Sequence, residues 1–329
     1  MVHRAVLGGV SLGHGTPVVV MGALNVSPES FHAGSIHTTG EGLLGAALAM
    51  VDAGAVLIDV GARSTAPYLQ TAVSDEDERE RLARAVEVLV AKVPVPISAD
   101  TARPGPARAA LDAGARVVND VSGLRDPAVA ALISERGAGA ILMASPSSVG
   151  PGTAGGTRAA PSPARPNRSS SSCERDEGVP LRRSRPPRGP GPDAGPTALD
   201  PVASVKALLA AALARARAAG IPDERVALDP GIGFFRGEAV AWDAWDAAVL
   251  AGLGELAALG RPLCIGVSRK SFIGAVTGRP RTDDRLAGSL AATAVAVWNG
   301  AALIRAHDVA ETLDAVRVAE RLRQASRTL

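Results

Sequence analysis

Eight short apolar runs recur along the chain, and most are followed by a segment whose apolar residues return at helical spacing. The runs cover 18–26 (VVVMGALNV), 55–62 (AVLIDVGA), 95–100 (VPISAD), 116–122 (RVVNDVS), 139–145 (GAILMAS), 225–233 (RVALDPGIG), 263–269 (LCIGVSR) and 302–308 (ALIRAHD). Near-continuous Val, Ile and Leu is what a strand buried on both faces looks like, as in a parallel sheet covered by helices. The intervening segments 42–55, 76–93, 104–115, 126–137, 204–220 and 284–300 place apolar residues with helical period. Gly54, Gly114, Gly137, Gly220 and Gly300 stand at their ends, where a helix C-terminus favours a left-handed residue. Eight strand–helix units predict an α/β fold, the closed (β/α)8 TIM barrel. No G-x-G-x-x-G follows the first run, which weighs against a doubly wound open sheet. Residues 3–15 predict a small hairpin under the barrel.

Composition adds one exception to this regularity. The chain has 329 residues, 47% hydrophobic and only 2% aromatic, so its core must be built from many closely packed small side chains. The stretch 150–198 is different. Ten of the 24 prolines fall in 151–198, with eight arginines against four acidic residues. Such composition cannot supply core and reads as a disordered insertion after the fifth strand of a single domain spanning 1–329. The basic excess therefore sits in this segment and makes no nucleic-acid footprint across the fold. No apolar stretch reaches membrane-spanning length, and the N-terminus lacks the apolar core of a signal peptide. Cys173 and Cys264 are isolated, which argues against a disulfide framework or a zinc site. A cytoplasmic protein with no nucleic-acid or membrane partner is expected.

Polar residues interrupt or end the apolar runs: Asn25, Asp59, Asp100, Asn119, Asp229, Arg305 and His307, with Lys270 just past the seventh. In a barrel, strand C-termini form the active-site mouth. Any one of these positions is most simply a strand cap or a satisfied polar group. Asn119 and Asp120, taken alone, read as a turn. Together they would converge on one cavity, where carboxylates accept hydrogen bonds from ring N–H groups and amines while Asn119 both donates and accepts. Arg305 and His307, two apart on one strand, share a face and offer a planar fork and a proton donor to phosphate oxygens. A structural Arg–Asp contact, with Asp308 as partner, ranks second for Arg305. Lys270 is one of only three lysines. It lies in the turn SRKSFIG, and a cation before a helix start favours anions.

The stretches MGALNVSPESF, GAVLIDVGARSTAP, SADT with ALDAGA, NDVSGLRDP, LDPGIGFF, GVSRKSFIG with RLAGSLAATA, and RAHDV follow one another in an order that resembles the dihydropteroate synthases, over nearly the whole chain except the insertion. The resemblance implies a transferase that condenses 6-hydroxymethyl-7,8-dihydropterin diphosphate with 4-aminobenzoate, or a related arylamine, to 7,8-dihydropteroate and pyrophosphate in folate biosynthesis. It implies a pterin pocket of Asp100, Asn119, Asp229 and Lys270. Asn25, Arg305 and His307 would take the diphosphate, with Mg2+ at Asn25. The arylamine would lie by Thr65, Phe234 and Ser271. Asp100, Lys270, Arg305 and His307 would carry catalysis. The loops with Pro28, Glu29, Ser30 and Phe31 and with Ser64, Thr65 and Pro67 would close over the site, and a homodimer through the last helices is implied.

Ser27-Pro28-Glu29 replaces the family's Thr-Pro-Asp and keeps both functional groups. Arg63 and Ala66 stand where the family has Glu and Arg, reversing one charge and removing a cation near the arylamine, and Met143-Ala144 replaces Met-His. Ordinary pterin diphosphate binding with altered arylamine choice is therefore the expectation. Two other readings are a pterin-dependent methyltransferase and a non-catalytic pterin-binding paralogue.

Overall fold

A computed structural model describes residues 4–26, 40–63, 73–146, 200–236 and 239–326. β1 (Ala5–Leu7) and β2 (Val10–Leu12) form an antiparallel hairpin. The barrel strands are β3 (Val19–Asn25), β4 (Leu57–Gly61), β5 (Ile97–Asp100), β6 (Val117–Asp120), β7 (Gly139–Met143), β8 (Val226–Asp229), β9 (Leu263–Ile265) and β10 (Ala301–Ala306). They are parallel and close in the order β10-β3-β4-β5-β6-β7-β8-β9. All eight predicted strands are present. The helices are α1 (Gly40–Asp52), α2 (Asp75–Val90), α3 (Pro104–Asp112), α4 (Pro127–Arg136), α5 (Pro201–Ala218), α6 (Trp242–Ala251), α7 (Leu253–Leu256), α8 (Ser271–Thr277), α9 (Leu286–Trp298) and α10 (Val309–Ser326). Residues 150–198 lie outside the described residues.

Local chemistry sets the helix ends. Ser74, Asp126 and Asp200 accept hydrogen bonds from Asp77 N, Ala128 N and Val202 N at 3.0, 2.9 and 2.9 Å, satisfying backbone donors that have no partner within the helix. Pro127 and Pro201 begin α4 and α5, where a missing N–H costs nothing. The five glycines expected to end helices all have positive φ, between 60° and 108°.

Strand alternation sorts the core into two layers. Ile58, Val60, Val118, Leu228 and Ile304 face outward and pack with the helices. Their neighbours Met21, Leu57, Val117, Ile141, Ala227, Cys264 and Leu303 face the barrel axis, where Leu7 and Leu12 of the hairpin join them. The expected hairpin thus plugs one end of the barrel. Gly139 makes room for it, because a Cβ there would stand 2.9 Å from Leu7 Cδ2 and 3.2 Å from Leu7 Cα.

Candidate active site

With a side-chain period of 2 along each strand, the residues two positions beyond this apolar layer also face the axis. Leu57 is followed by Asp59, Val117 by Asn119, Ala227 by Asp229 and Leu303 by Arg305; on β5 the corresponding pair is Ser98 and Asp100. A polar ring thus rests on an apolar one. The expected convergence of Asp100, Asn119 and Arg305 is observed, and Asp59 is its hub.

Arg305 Nε donates to Asp59 Oδ2 at 2.6 Å and its Nη2 donates to Asp100 Oδ2 at 3.0 Å. Asn119 Nδ2 donates to the same Asp59 oxygen at 3.0 Å. The Arg–Asp contact ranked second from sequence is therefore real, but it joins strands inside the ring. Asp308 instead takes both arms of Arg269, at 2.8 and 2.7 Å. Asp59 and Asp100 each keep one buried oxygen, Oδ1, without a protein partner. A buried carboxylate oxygen without a donor is costly, so the ring is complementary to a ligand bearing N–H groups. Burial pushes the Asp100 carboxyl up to about 7, against the pull of Arg305. The two carboxylates in turn hold the Arg305 guanidinium well above its usual range, outweighing its burial. Asp120 belongs to a turn, accepting from Ser122 N at 2.6 Å and Leu124 N at 3.0 Å.

The second half of the site comes from the loops after β8 and β9. Asp229 Oδ1 accepts from Gly231 N at 2.7 Å. Gly231 has φ of 72°, and a Cβ there would collide with Ala144 O, so the sharp turn requires glycine. Lys270 Nζ donates to Ile232 O and lies 4.8 Å over the Phe234 ring. Burial raises the Asp229 carboxyl and lowers the Lys270 ammonium, and each charge opposes the shift of the other. Arg269, just before Lys270, adopts φ of 55°, a conformation non-glycine residues seldom hold without support. Its fork on Asp308, Ser289 Oγ accepting from its N at 2.8 Å, and Arg285 Nη1 donating to its O at 3.0 Å supply that support. Ser271, which opens α8, accepts from Arg236 Nη2.

Three of these residues were not singled out from sequence. Asp246 on α6 is fully buried and accepts from Gly233 N at 2.8 Å through Oδ1. Its Oδ2 has no protein partner, and burial pushes its carboxyl up to about 6. It lies within an alanine-rich helix, and only the unusual burial of an acid there could have marked it. Arg236 follows the LDPGIGFF stretch directly. Glu78, 1% exposed, accepts from Thr101 Oγ1 at 2.7 Å, Arg63 Nε at 3.1 Å and Arg103 Nη1 at 3.0 Å. Arg63, read from sequence as a charge reversal, is thus paired with an acid in its own neighbourhood.

His307, just past β10, has Nδ1 3.2 Å from Ala23 O, so Nδ1 carries the hydrogen. Its backbone N donates to Ser268 Oγ at 3.3 Å. Asn25 ends β3, half-buried. Thr65 and both expected closing loops lie outside the described residues. Among the described residues, no group of three or more His, Cys, Asp or Glu could hold a metal ion. The Asn25 side chain offers one hard oxygen donor, which suits Mg2+ shared with a substrate's phosphate oxygens and not an all-protein cage.

A family model for pterin binding enzymes matches residues 21–307. The dihydropteroate synthase of Escherichia coli K12 is 33% identical over 301 residues, covering 92% of this chain and 90% of that protein. The chain belongs to the dihydropteroate synthase family. A probable bifunctional folylpolyglutamate synthase/dihydropteroate synthase of Haloferax volcanii is 36% identical over 300 residues, of which the chain spans 30% of the length. The Xanthomonas albilineans dihydropteroate synthase solved with 4-aminobenzoic acid superposes with a TM-score of 0.74 at 34% identity, covering 98% of this chain and 99% of that one.

Proposed function

We propose that this chain is a working dihydropteroate synthase, a transferase of folate biosynthesis that joins 6-hydroxymethyl-7,8-dihydropterin diphosphate to an arylamine and releases pyrophosphate. The observation that carries this reading is the pair of unpartnered carboxylate oxygens, Asp59 Oδ1 and Asp100 Oδ1, in a ring closed by Asn119 and Arg305. A pterin edge presents ring N–H and amine donors matching those acceptors. Asp229 and Lys270, charge-coupled across the mouth, complete the pterin pocket. Arg305 is tied to two carboxylates, yet a quarter of its side chain is exposed, and the diphosphate would meet that face together with His307.

The methylene carbon–oxygen bond breaks and its electron pair leaves with the diphosphate. Asp100 stabilises the pterin cation, and the arylamine nitrogen then attacks the methylene carbon and sheds a proton. Positioning and preorganised charge supply the rate, with no covalent enzyme intermediate. When bound at Asn25, Mg2+ supplies charge neutralisation for the departing diphosphate. We assign the arylamine to the wall formed by Phe234 and Ser271, with Thr65 on the second loop. Altered arylamine choice remains our reading of Arg63 and Ala66.

We also propose a cytoplasmic homodimer. Val295 and Trp298 on α9 and Val318 and Leu322 on α10 are exposed large apolar residues on two packed helices, and covering such a patch favours a symmetric pair. Among the described residues no helix is long and apolar enough to cross a membrane.

Pyrophosphate release from pterin diphosphate with Mg2+ tests the activity. Release that depends on arylamine supports the synthase. Tight pterin binding without turnover would favour the paralogue, and methyl transfer to a corrinoid the methyltransferase.

A further inference from the structure

We propose that Arg236 is a specificity-determining residue, selecting arylamines that carry a negatively charged group on the ring. This rests on the assignment of the arylamine to the Phe234–Ser271 wall. The guanidinium is held in place by its surroundings. It lies 4.0 Å over the Trp242 ring centroid, its Nε donates to Gly233 O at 3.2 Å, and its Nη2 donates to Ser271 Oγ. The ring contact and the two hydrogen bonds together fix where the guanidinium stands.

The consequence reaches Ser271. A hydroxyl has one hydrogen to give. Because Ser271 Oγ accepts from Arg236, that hydrogen is directed away from the guanidinium. A cation and a hydroxyl donor thus stand side by side, next to Phe234 and one residue from Lys270. Lys270 is engaged elsewhere: one of its three N–H donors goes to Ile232 O, and its nearest balancing charge is Asp229. Packing against Gly233 also fixes it, since a Cβ there would lie 2.9 Å from Lys270 Cδ. The wall therefore divides the work: Lys270 faces Asp229 in the pterin pocket, and Arg236 with Ser271 faces a carboxylate on a flat ring packed by Phe234. Charge-assisted donors of this kind bind carboxylates more strongly than neutral amides.

The test compares 4-aminobenzoate with its neutral isostere 4-aminobenzamide, using full-length wild type, Arg236→Gln and Arg236→Lys with pterin diphosphate and Mg2+. Wild type should favour the acid in kcat/KM. In Arg236→Gln the acid-over-amide ratio should fall by roughly tenfold or more, and Arg236→Lys should recover part of it. An unchanged ratio, or equal loss for both arylamines, would overturn the role of Arg236. Calorimetric titration of each arylamine into the protein with pterin and pyrophosphate gives the same ratio without turnover. A wild type that binds both arylamines but releases no pyrophosphate would therefore defeat the catalytic reading while still deciding on Arg236. If Arg236→Gln is unfolded by circular dichroism, Arg236→Met takes its place, and an acid-over-amide ratio equal to wild type in that variant counts against the proposal.

Discussion

The apolar ring and the polar ring of this barrel are built from the same strands, two residues apart, the first fully buried and the second open to the mouth at Arg305. In the lower ring Leu57, Val117, Ala227 and Leu303 meet Leu7 and Leu12 of the hairpin in one apolar cluster. In the upper ring Asp59, Asp100, Asn119 and Arg305 are hydrogen-bonded together but leave Asp59 Oδ1 and Asp100 Oδ1 without donors. Burial stabilises the lower ring. In the upper ring it stores unmet hydrogen-bonding capacity that a ligand can satisfy. The fold pairs a rigid floor with a reactive surface by one repeat of strand alternation.

Substitution across the two rings should separate activity from stability. The largest effect is expected for Asp100→Asn: turnover should fall by about 10³-fold, as when preorganised charge is removed from a transition state, with a much smaller loss of pterin binding. Steady-state kinetics beside calorimetric pterin titration would check this, and equal losses in both would contradict it. Arg305→Ala should mainly raise the KM for pterin diphosphate, and because it strands Asp59 and Asp100 it should also destabilise the fold by about 3 kcal/mol. One ring below, Leu57→Ala should cost about 2–5 kcal/mol of stability. Its pterin affinity at low temperature should stay near wild type. A folded, fully stable Leu57→Ala protein would argue against the plugged floor.

Smaller effects follow from the acids. The Asp246 carboxyl is pushed up to about 6 from 3.8. A folded-state value above the unfolded one gives stability that is full below about 4 and is lost as pH rises through about 6. Asp246→Asn, still able to accept from Gly233 N, should therefore melt several degrees above wild type at alkaline pH, and the gap should close in acid. Thermal melts across pH would read this, and a constant gap would sink it. Asp100, pushed up to about 7, should give kcat/KM an acid limb that rises with pH through about 7. A limb that persists in Asp100→Asn would assign it elsewhere.

The barrel was legible because parallel strands buried on both faces leave a strong apolar signal, and glycines at helix ends mark the return to each strand. The positions of Asp100, Asn119, Asp229 and Arg305 were legible for the same reason, since a polar residue at the end of such a run stands out. Their pairing was not. Whether Arg305 reaches Asp59 and Asp100 or Asp308 depends on the closure of β10 against β3, a contact between the two ends of the chain that no local pattern encodes. Asp246 and Arg236 were missed because α6 and the loop before it carry no regular apolar run. Arg63 looked like a reversed charge until Glu78, from the next helix, was brought beside it.

The central claim is that the upper ring is a pterin diphosphate site built for transfer to an arylamine. Incubating the purified full-length protein with 6-hydroxymethyl-7,8-dihydropterin diphosphate, Mg2+ and 4-aminobenzoate tests it most directly. The account predicts 7,8-dihydropteroate and pyrophosphate in equal amounts, with wild type far above Asp100→Asn. Bound pterin with no dihydropteroate formed would contradict it.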